Sequence, residues 1–402
     1  MPAPPTAVAP PLWLLVLITL SGTLAMHMFV PALPDAARSF GVGAAAVQAT
    51  ISLYIVGLAL GQLIYGPLSD ALGRRPLLLA GLALYAAGSI AAMLAHSATM
   101  LIVARLIQAL GGCAGLALGR AMVQDTNAPQ EAVRTLALLN LMMMVGPGMA
   151  PLLGSGLVAL GGWRAVFVAL ALAGTATLLL AWRMVPETGA PTGRVSPGAL
   201  ARDYAALLRS HSFLAYAVGG GCATTSAYAF IAAAPFIITG QLQRPLRDVG
   251  ISLGLVMIGM ALGNALTRRL ALSVRLDRLL VWGNALSVAS ALVFLLLELA
   301  GHLTLAATVG LMLVFVLGAG LVSPAVLSKV LTVDSRRVGS AVGLYGFAQM
   351  ALGALFTMMV GWGSNPALAS SCVLLGAALV GQGCLQFALR RGRRGRAASA
   401  AG

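Results

Sequence analysis

The segment "GPLSDALGRRP", residues 66–76, connects two long apolar stretches of the chain. Gly66 and the proline that follows it are predicted to end one helix, and Gly73 permits a tight turn. Asp70 and Arg74 are spaced so that their charges can pair. A plain basic turn at a membrane surface would account for the arginines alone. Because glycine, aspartate and arginine recur at this close spacing, we treat the segment as a candidate functional element.

The composition of the chain excludes a soluble protein. Of its 402 residues, 59% are hydrophobic and 9% are charged, whereas soluble domains carry about 25% charged residues. Only helices and closed barrels satisfy the backbone in lipid, and apolar stretches of about 20 residues are typical of helices. The four cysteines lie in apolar stretches without CxxC spacing, so neither a zinc site nor a disulfide framework is indicated. We expect no cofactor and no metal.

Twelve apolar stretches are long enough to cross a hydrocarbon core of about 30 Å. Most of the 25 basic residues fall in the connections that share a side with both termini, so the positive-inside rule places both termini in the cytoplasm. The net charge of +15 therefore reflects topology and does not indicate nucleic acid. The predicted spans, numbered one to twelve, are residues 12–33, 45–67, 77–95, 99–123, 135–158, 163–185, 212–239, 249–268, 279–299, 303–327, 338–361 and 366–389.

The longest polar segment, residues 186–211, divides these spans into two sets of six. "GLALGQ" at 57–62 in span two is echoed by "GMALGN" at 259–264 in span eight, which favours a duplicated six-helix unit. We therefore predict an N-terminal half, a cytoplasmic linker, a C-terminal half and a basic cytoplasmic tail at residues 1–186, 187–211, 212–389 and 390–402.

Two further motifs, "RLIQALGGCAG" (105–115) and "GPGMAPLLGSG" (146–156), accompany the segment at 66–76. The segment at 105–115 resembles the fourth-span motif of the major facilitator superfamily, and the segment at 146–156 resembles its antiporter-type fifth-span motif. The segment at 66–76 resembles the signature loop of the same superfamily. "FVPALPD", "VQATISLYIVGLALGQLIYGPLSD", "AAAPFI" and "VGSAVGLYGFAQ" are similar to its bacterial drug-efflux branch of Bcr/CflA type. The resemblance implies an all-α integral membrane fold, with twelve transmembrane helices in two pseudo-symmetric six-helix halves. It also implies drug efflux across the bacterial inner membrane by proton antiport, with substrates bound between halves that rock.

The resemblance also assigns roles at the cytoplasmic face. Arg74 would pair with Asp125 at the inner end of span four, and Asp70 would contact the start of span eleven near residues 338–340. These contacts would form a latch that breaks when the halves rock. The predicted latch comprises Gly66, Asp70, Gly73, Arg74 and Asp125.

The motif at 146–156 concentrates glycine and proline in span five. Proline kinks a helix, and glycine keeps one helix face flat. A hinge or sealed seam that serves antiport is one interpretation, and an ordinary kinked helix is the other. The residues concerned are Gly146, Pro147, Pro151 and Gly154.

Arg105 lies within predicted span four, roughly 9 Å along the helix from its start. A buried guanidinium costs several kcal/mol unless it is paired or hydrated. Either Arg105 extends to the outer interface, or it faces the central cavity and influences the protonation of a neighbouring group. Gln108, one turn further on, would share the same face.

His27 stands within span one, where the resembled branch usually has an aspartate that carries the proton. Histidine titrates near neutrality and could carry the proton with the opposite change of charge. A neutral, hydrogen-bonded cavity histidine is the alternative. If His27 carries no proton, Asp35 and Glu298 are the acids left on the outer side.

The other predicted cavity residues are polar or aromatic groups within spans, namely Tyr54, Asn140, Tyr228, Tyr345 and Gln349.

The expected partners of a monomeric chain are small hydrophobic or cationic drug-like molecules, protons and the lipid bilayer. An exporter or uniporter of one metabolite, an amino acid or a sugar, without proton coupling is the alternative. A membrane-embedded enzyme is less favoured because the sequence has no HExxH, no GxSxG and no close carboxylate pair within a span. A channel is less favoured because nothing resembles a filter.

Overall fold

The computed structural model describes residues 9–127, 129–189, 191, 193, 197–270, 273–333 and 338–400. Every regular element in that part of the chain is a helix. The helices are Leu12–Phe29, Val30–Ala32, Leu33–Phe40, Ala44–Leu72, Arg74–Met93, Ala98–Thr126, Pro129–Met184, Pro197–Arg209, His211–Thr225, Ala227–Phe236, Ile237–Gln241, Leu246–Leu270, Leu276–Leu299, Leu305–Leu331, Val338–Gly361 and Pro366–Ala400.

Twelve crossings follow from these helices once the longest is divided. Pro129–Met184 has non-helical backbone at Gly161 and at Gly162, where φ is +70°, so it holds both span five and span six. The first and seventh spans are each made of consecutive helical segments. Among the described residues, eleven continuous helical segments are long and apolar enough to cross a membrane. This number is one fewer than the twelve crossings because spans five and six form one continuous segment.

The chain forms two compact units, residues 1–196 and 197–402, and the six spans of each unit have matching neighbours. Spans two and three pack on span four, and spans eight and nine pack on span ten. Span one packs on spans four and five, as span seven packs on spans ten and eleven. Span three packs on span six, as span nine packs on span twelve. The fold is therefore all-α, with twelve transmembrane helices in two pseudo-symmetric six-helix halves.

The echoed glycines occupy equivalent contacts in the two halves. Gly57 and Gly61 face span four, and Gly259 and Gly263 face span ten. A Cβ atom added at any of these four positions would lie 2.7 Å or less from an atom of that facing span. Because only glycine lets the helices approach this closely, the repeated sequence encodes a repeated helix contact.

The prediction that Gly66 and Pro67 end the second helix is wrong. Ala44–Leu72 continues through Pro67, because a proline near the end of a helix removes only one hydrogen bond there. Ser69 Oγ donates to the carbonyl oxygen of Gly66 at 2.8 Å within the same turn. The helix ends instead at Gly73, whose φ of +99° favours glycine over any other residue.

Span one is held from two sides by close glycine contacts. A Cβ atom on Gly22 would lie 2.9 Å from the carbonyl oxygen of Gly112 in span four. A Cβ atom on Gly154 in span five would overlap the carbonyl oxygen of Met28. These contacts fix the backbone on either side of His27, which lies in the last turn of helix Leu12–Phe29.

Substitution of Gly154 tests this packing. We expect Gly154→Ala to lower the melting temperature of the detergent-solubilised protein by several degrees, because the added methyl group forces spans one and five apart at a cost of about 1–3 kcal/mol. Gly156→Ala is the matched control, since nothing lies within 4 Å of a Cβ atom there and alanine favours a helix. Equal melting temperatures for the two variants would contradict the close contact.

Candidate functional site

A buried arginine cluster, defined as Tyr54, Ser89, Arg105 and Gln108, lies in the N-terminal half. Arg105 is 0% exposed, so it does not reach the membrane interface. Its Nη1 donates to Gln108 Oε1 at 2.6 Å and to the carbonyl oxygen of Ala25 at 3.2 Å. The spacing of three residues in span four places Arg105 and Gln108 on one helix face.

Hydrogen bonds extend this cluster through the first four spans. Gln108 Nε2 donates to Ser89 Oγ at 2.7 Å, and Ser89 Oγ donates to a carbonyl oxygen of its own helix at 2.8 Å. Tyr54 Oη donates to the carbonyl oxygen of Gly22 at 2.6 Å. Spans one, two, three and four therefore meet around a single guanidinium.

The positive charge of Arg105 faces aromatic rings. Its Cζ lies 3.9 Å from the ring centroid of Tyr54, 5.3 Å from that of Phe29 and 5.8 Å from that of Phe167. Contact with ring faces stabilises a desolvated cation by about 2 kcal/mol. Among the described residues, Arg105 has no ion-pair partner, and its Nε and Nη2 have no hydrogen-bond acceptor. The cluster thus keeps an uncompensated charge and two unused donors.

His27 is buried, with 5% of its surface exposed. It lies two residues beyond Ala25, whose carbonyl oxygen accepts a hydrogen bond from Arg105. The histidine therefore lies within one helical turn of the span-one carbonyl group that Arg105 binds, inside the N-terminal half.

The two outer acids of the sequence analysis both bind helix termini. Asp35 Oδ2 accepts the backbone N–H of Trp163 at 2.9 Å, and its Oδ1 lies 3.3 Å from Arg38. Glu298 Oε1 accepts a hydrogen bond from Asn365 Nδ2 at 2.8 Å. Asp35 stabilises the start of span six, because a carboxylate at a helix N-terminus satisfies unpaired N–H groups. Glu298 holds the asparagine that precedes span twelve.

The predicted cavity residues of the C-terminal half form a second polar group, between spans seven and eleven. Gln349 Nε2 donates to Thr224 Oγ1 at 2.9 Å, and Thr225 Oγ1 donates to the carbonyl oxygen of Gln349 at 2.9 Å. Tyr345 is buried, and its hydroxyl group has no hydrogen-bond partner within the described part of the chain. Tyr228 is half-buried and faces Gly353 of span eleven.

The predicted cavity residues thus separate into two groups, one inside each half. Asn140 belongs to the helix Pro129–Met184, but its side chain lies outside the described residues. The antiporter-type residues Gly146 and Gly154 both face span one, while Pro147 and Pro151 lie within the helix. Their role in antiport stays a prediction.

The signature loop is held together by Arg74 at the start of span three. Arg74 Nε lies 3.0 Å from Asp125 Oδ2, and Arg74 Nη1 lies 2.6 Å from Asp70 Oδ1. Only 15% of the Arg74 side chain is exposed, whereas 61% of the Asp70 side chain is exposed. Residues 334–337 and the side chains of 338 and 339 lie outside the described residues, so the contact expected between Asp70 and span eleven stays a prediction. The latch role stays one as well.

The sequence analysis did not identify Glu187, which binds the same loop. Its carboxylate accepts the backbone N–H groups of Arg74 at 2.8 Å, Arg75 at 3.1 Å and Gly189 at 3.0 Å. It therefore caps the N-terminus of span three. One feature of the sequence could have identified Glu187: it is an acidic residue directly after span six, at the end of that span that the predicted topology places in the cytoplasm.

The comparisons with known proteins agree with this architecture. The family model described as Major Facilitator Superfamily matches residues 15–358, which is most of the chain. The protein belongs to the Major Facilitator Superfamily. As a member of this family it is a multi-pass membrane transporter and not an enzyme.

Among its Major Facilitator relatives, the multidrug transporter MdfA of Yersinia pestis bv. Antiqua (strain Angola) is 27% identical over 344 residues, which cover 84% of each chain. A chloramphenicol resistance protein of Pseudomonas aeruginosa is 39% identical over 170 residues, covering 42% of this chain and 41% of that protein. The crystal structure of a D-xylose-proton symporter matches with a TM-score of 0.70 at 13% identity, covering 92% of this chain and 96% of that one. The last match shows the fold alone.

This Major Facilitator chain also carries a charge-reversed counterpart of the Arg74–Asp125 pair. Asp277, in the first turn of span nine, lies 2.6 Å from Lys329 at the end of span ten. The two side chains are 12% and 18% exposed. Arg74 and Asp125 occupy the corresponding ends of spans three and four. Each half therefore joins the same two helix ends with an ion pair of opposite polarity.

We expect Asp277→Asn to lower the free energy of unfolding by about 1–3 kcal/mol, because it leaves Lys329 largely buried without its charge partner. The double exchange Asp277→Lys with Lys329→Asp should restore most of the loss. Asp248→Asn is the control, since its partner Arg244 is 53% exposed and such pairs contribute at most about 1 kcal/mol. Chemical denaturation in detergent gives these values. No recovery in the double exchange would contradict a direct pairing.

Proposed function

We propose that this protein is a drug-efflux transporter of the Bcr/CflA type in the bacterial inner membrane, with both termini in the cytoplasm. It exchanges small hydrophobic, drug-like molecules for protons by alternating access. The observation that supports this most is the similarity to a multidrug transporter over 84% of both chains. The chloramphenicol resistance protein that matches 42% of the chain supports it as well.

We assign the proton-carrying step to His27. Histidine is the side chain whose ordinary pKa lies near neutrality, and the other three histidines, His96, His211 and His302, lie at helix ends or in connections. Asp35 and Glu298 are engaged in holding the starts of spans six and twelve, so neither acid is suited to repeated protonation. In this role His27 gains and loses a proton in the same half as Arg105, whose positive charge favours release of the proton over its uptake.

The alternative is a carrier of one metabolite, an amino acid or a sugar, that works without proton coupling. Among the residues that the structure describes, no carboxylate lies deep inside a span, and this observation favours the uncoupled carrier. The two functions differ in their response to a pH gradient, because only coupled transport accumulates substrate against its own gradient.

The test uses inverted membrane vesicles with an acidic lumen and radioactive chloramphenicol as the probe. We expect the wild-type protein to accumulate the drug in the lumen in exchange for protons. His27→Ala should lower the amount of accumulated drug at least tenfold relative to the wild type. The variant should still exchange labelled for unlabelled drug, since this exchange needs no net proton movement.

His302→Ala serves as the matched control, because this exposed histidine lies in the connection between spans nine and ten. It should behave as the wild type does. Undiminished, gradient-driven accumulation by His27→Ala would refute the assignment of the proton to His27. Transport of the drug by the wild type without any response to the gradient would favour the uncoupled carrier.

A further inference from the structure

A groove lies between spans eight and ten, at the end of the C-terminal half where both helices begin. Its volume is about 850 Å³, within the range of roughly 300–1,000 Å³ that is typical of ligand sites. We call it the span eight–ten groove, and the residues that matter here are Arg244, Ser252, Leu255, Leu303, Val309 and Gly310. It shares no residue with the arginine cluster, the signature loop or the polar group of spans seven and eleven.

The groove exists because two closely packed helices diverge. Span eight meets span ten at Gly259, where an added Cβ atom would lie 2.5 Å from the carbonyl oxygen of Leu313. Toward the start of span ten this contact is lost, since nothing lies within 4 Å of a Cβ atom at Gly310. Helices that cross at a close glycine contact separate with distance from it, so a space opens between their first turns.

The groove opens toward lipid. Leu255 and Gly310 are exposed, and they lie about 14 Å and about 8 Å along their helices from Leu246 and Leu305, at 1.5 Å per residue. Both depths fall within one leaflet of a hydrocarbon core that is about 30 Å thick. Because the surroundings at this depth are acyl chains, a hydrocarbon chain is the group that fits the apolar part of the groove.

Basic residues mark the mouth of the groove. Arg244, in the connection between spans seven and eight, lines the groove and has 53% of its side chain exposed. Its Nε donates to Asp248 Oδ2 at 2.9 Å, and the guanidinium carries two further nitrogen atoms that can bind phosphate oxygens. Arg247 is exposed as well. Two arginines and one aspartate give residues 244–248 a net charge of +1, which is complementary to an anionic headgroup.

We propose that the span eight–ten groove binds one anionic phospholipid from the leaflet that surrounds it. The phosphate group binds Arg244 at the mouth, and an acyl chain lies along Leu255 and Gly310. Between these points Ser252, which is only 3% exposed, lines the groove, and its hydroxyl group donates to an ester carbonyl oxygen of the lipid. Arginine, serine and leucine thus follow one another along the chain in the order of phosphate, ester and hydrocarbon in the lipid.

Native mass spectrometry of the full-length protein in detergent tests this proposal. The probes are phosphatidylglycerol, which is anionic, and phosphatidylcholine, which is zwitterionic, with identical acyl chains. We expect one phosphatidylglycerol molecule to bind at least tenfold more tightly than phosphatidylcholine, because only its headgroup carries a net negative charge. Equal affinities would overturn the proposed recognition of an anionic headgroup. The readout is binding alone, so it does not depend on the efflux function.

Gly310→Leu tests the position of the acyl chain, because the new side chain occupies open space in the groove. We expect the affinity for both lipids to fall at least tenfold. Gly376→Leu is the matched control, since Gly376 is an exposed glycine of span twelve and likewise has nothing within 4 Å of a Cβ atom. It should bind both lipids as the wild type does. Unchanged lipid binding by Gly310→Leu would overturn the site, and so would a protein dimer that this variant abolishes, because the groove would then hold a second copy of the chain.

Arg244→Gln tests the headgroup contact independently of the packing inside the groove. We expect its affinity for phosphatidylglycerol to fall at least tenfold, to the level of phosphatidylcholine, whose own affinity should not change. Arg38→Gln is the control, since Arg38 is an exposed arginine that pairs with Asp35 at the start of the N-terminal half. An undiminished preference for phosphatidylglycerol in Arg244→Gln would contradict the proposed role of this arginine.

Discussion

A guanidinium inside a lipid bilayer must be surrounded by groups that the protein supplies, because lipid provides none. In this chain the first four spans meet that requirement together for Arg105. A carbonyl oxygen from span one, an amide from span four and the ring face of Tyr54 from span two surround the charge, and Ser89 of span three holds the amide. The position of the arginine therefore depends on the correct packing of all four helices.

That packing depends in turn on glycine. Span one approaches spans four and five so closely that side chains at Gly112 and Gly154 would meet its backbone. The same kind of contact recurs where Gly57 and Gly61 face span four and where the echoed glycines of span eight face span ten. With little hydrophobic driving force between helices in lipid, close backbone contact supplies much of the attraction. The duplicated sequence thus produces a duplicated arrangement of neighbours within each half.

Much of this architecture could be predicted from the sequence because its signals are local. Apolar length predicted the spans, and the spacing of Arg105 and Gln108 indicated their shared face. The orientation that the basic residues indicate stays a prediction. Contacts between distant segments could not be predicted in this way. Glu187 binds a loop more than a hundred residues earlier in the chain, and the pair of Asp277 and Lys329 joins two separate helices. The error at Pro67 arose because a proline was taken as a helix end where the positive φ of Gly73 provides the actual one.

When the drug is uncharged, as chloramphenicol is, the proposed exchange of drug for protons moves net charge across the membrane in each cycle. Charge movement distinguishes this exchange from electroneutral transport, because the membrane potential acts on it by about 2.3 kcal/mol per charge and 100 mV. The most direct measurement is the transient current from proteoliposomes adsorbed on a solid-supported membrane when chloramphenicol is added without a pH gradient. The account predicts a current whose sign corresponds to protons moving opposite to the drug. Drug transport with no accompanying current would contradict it.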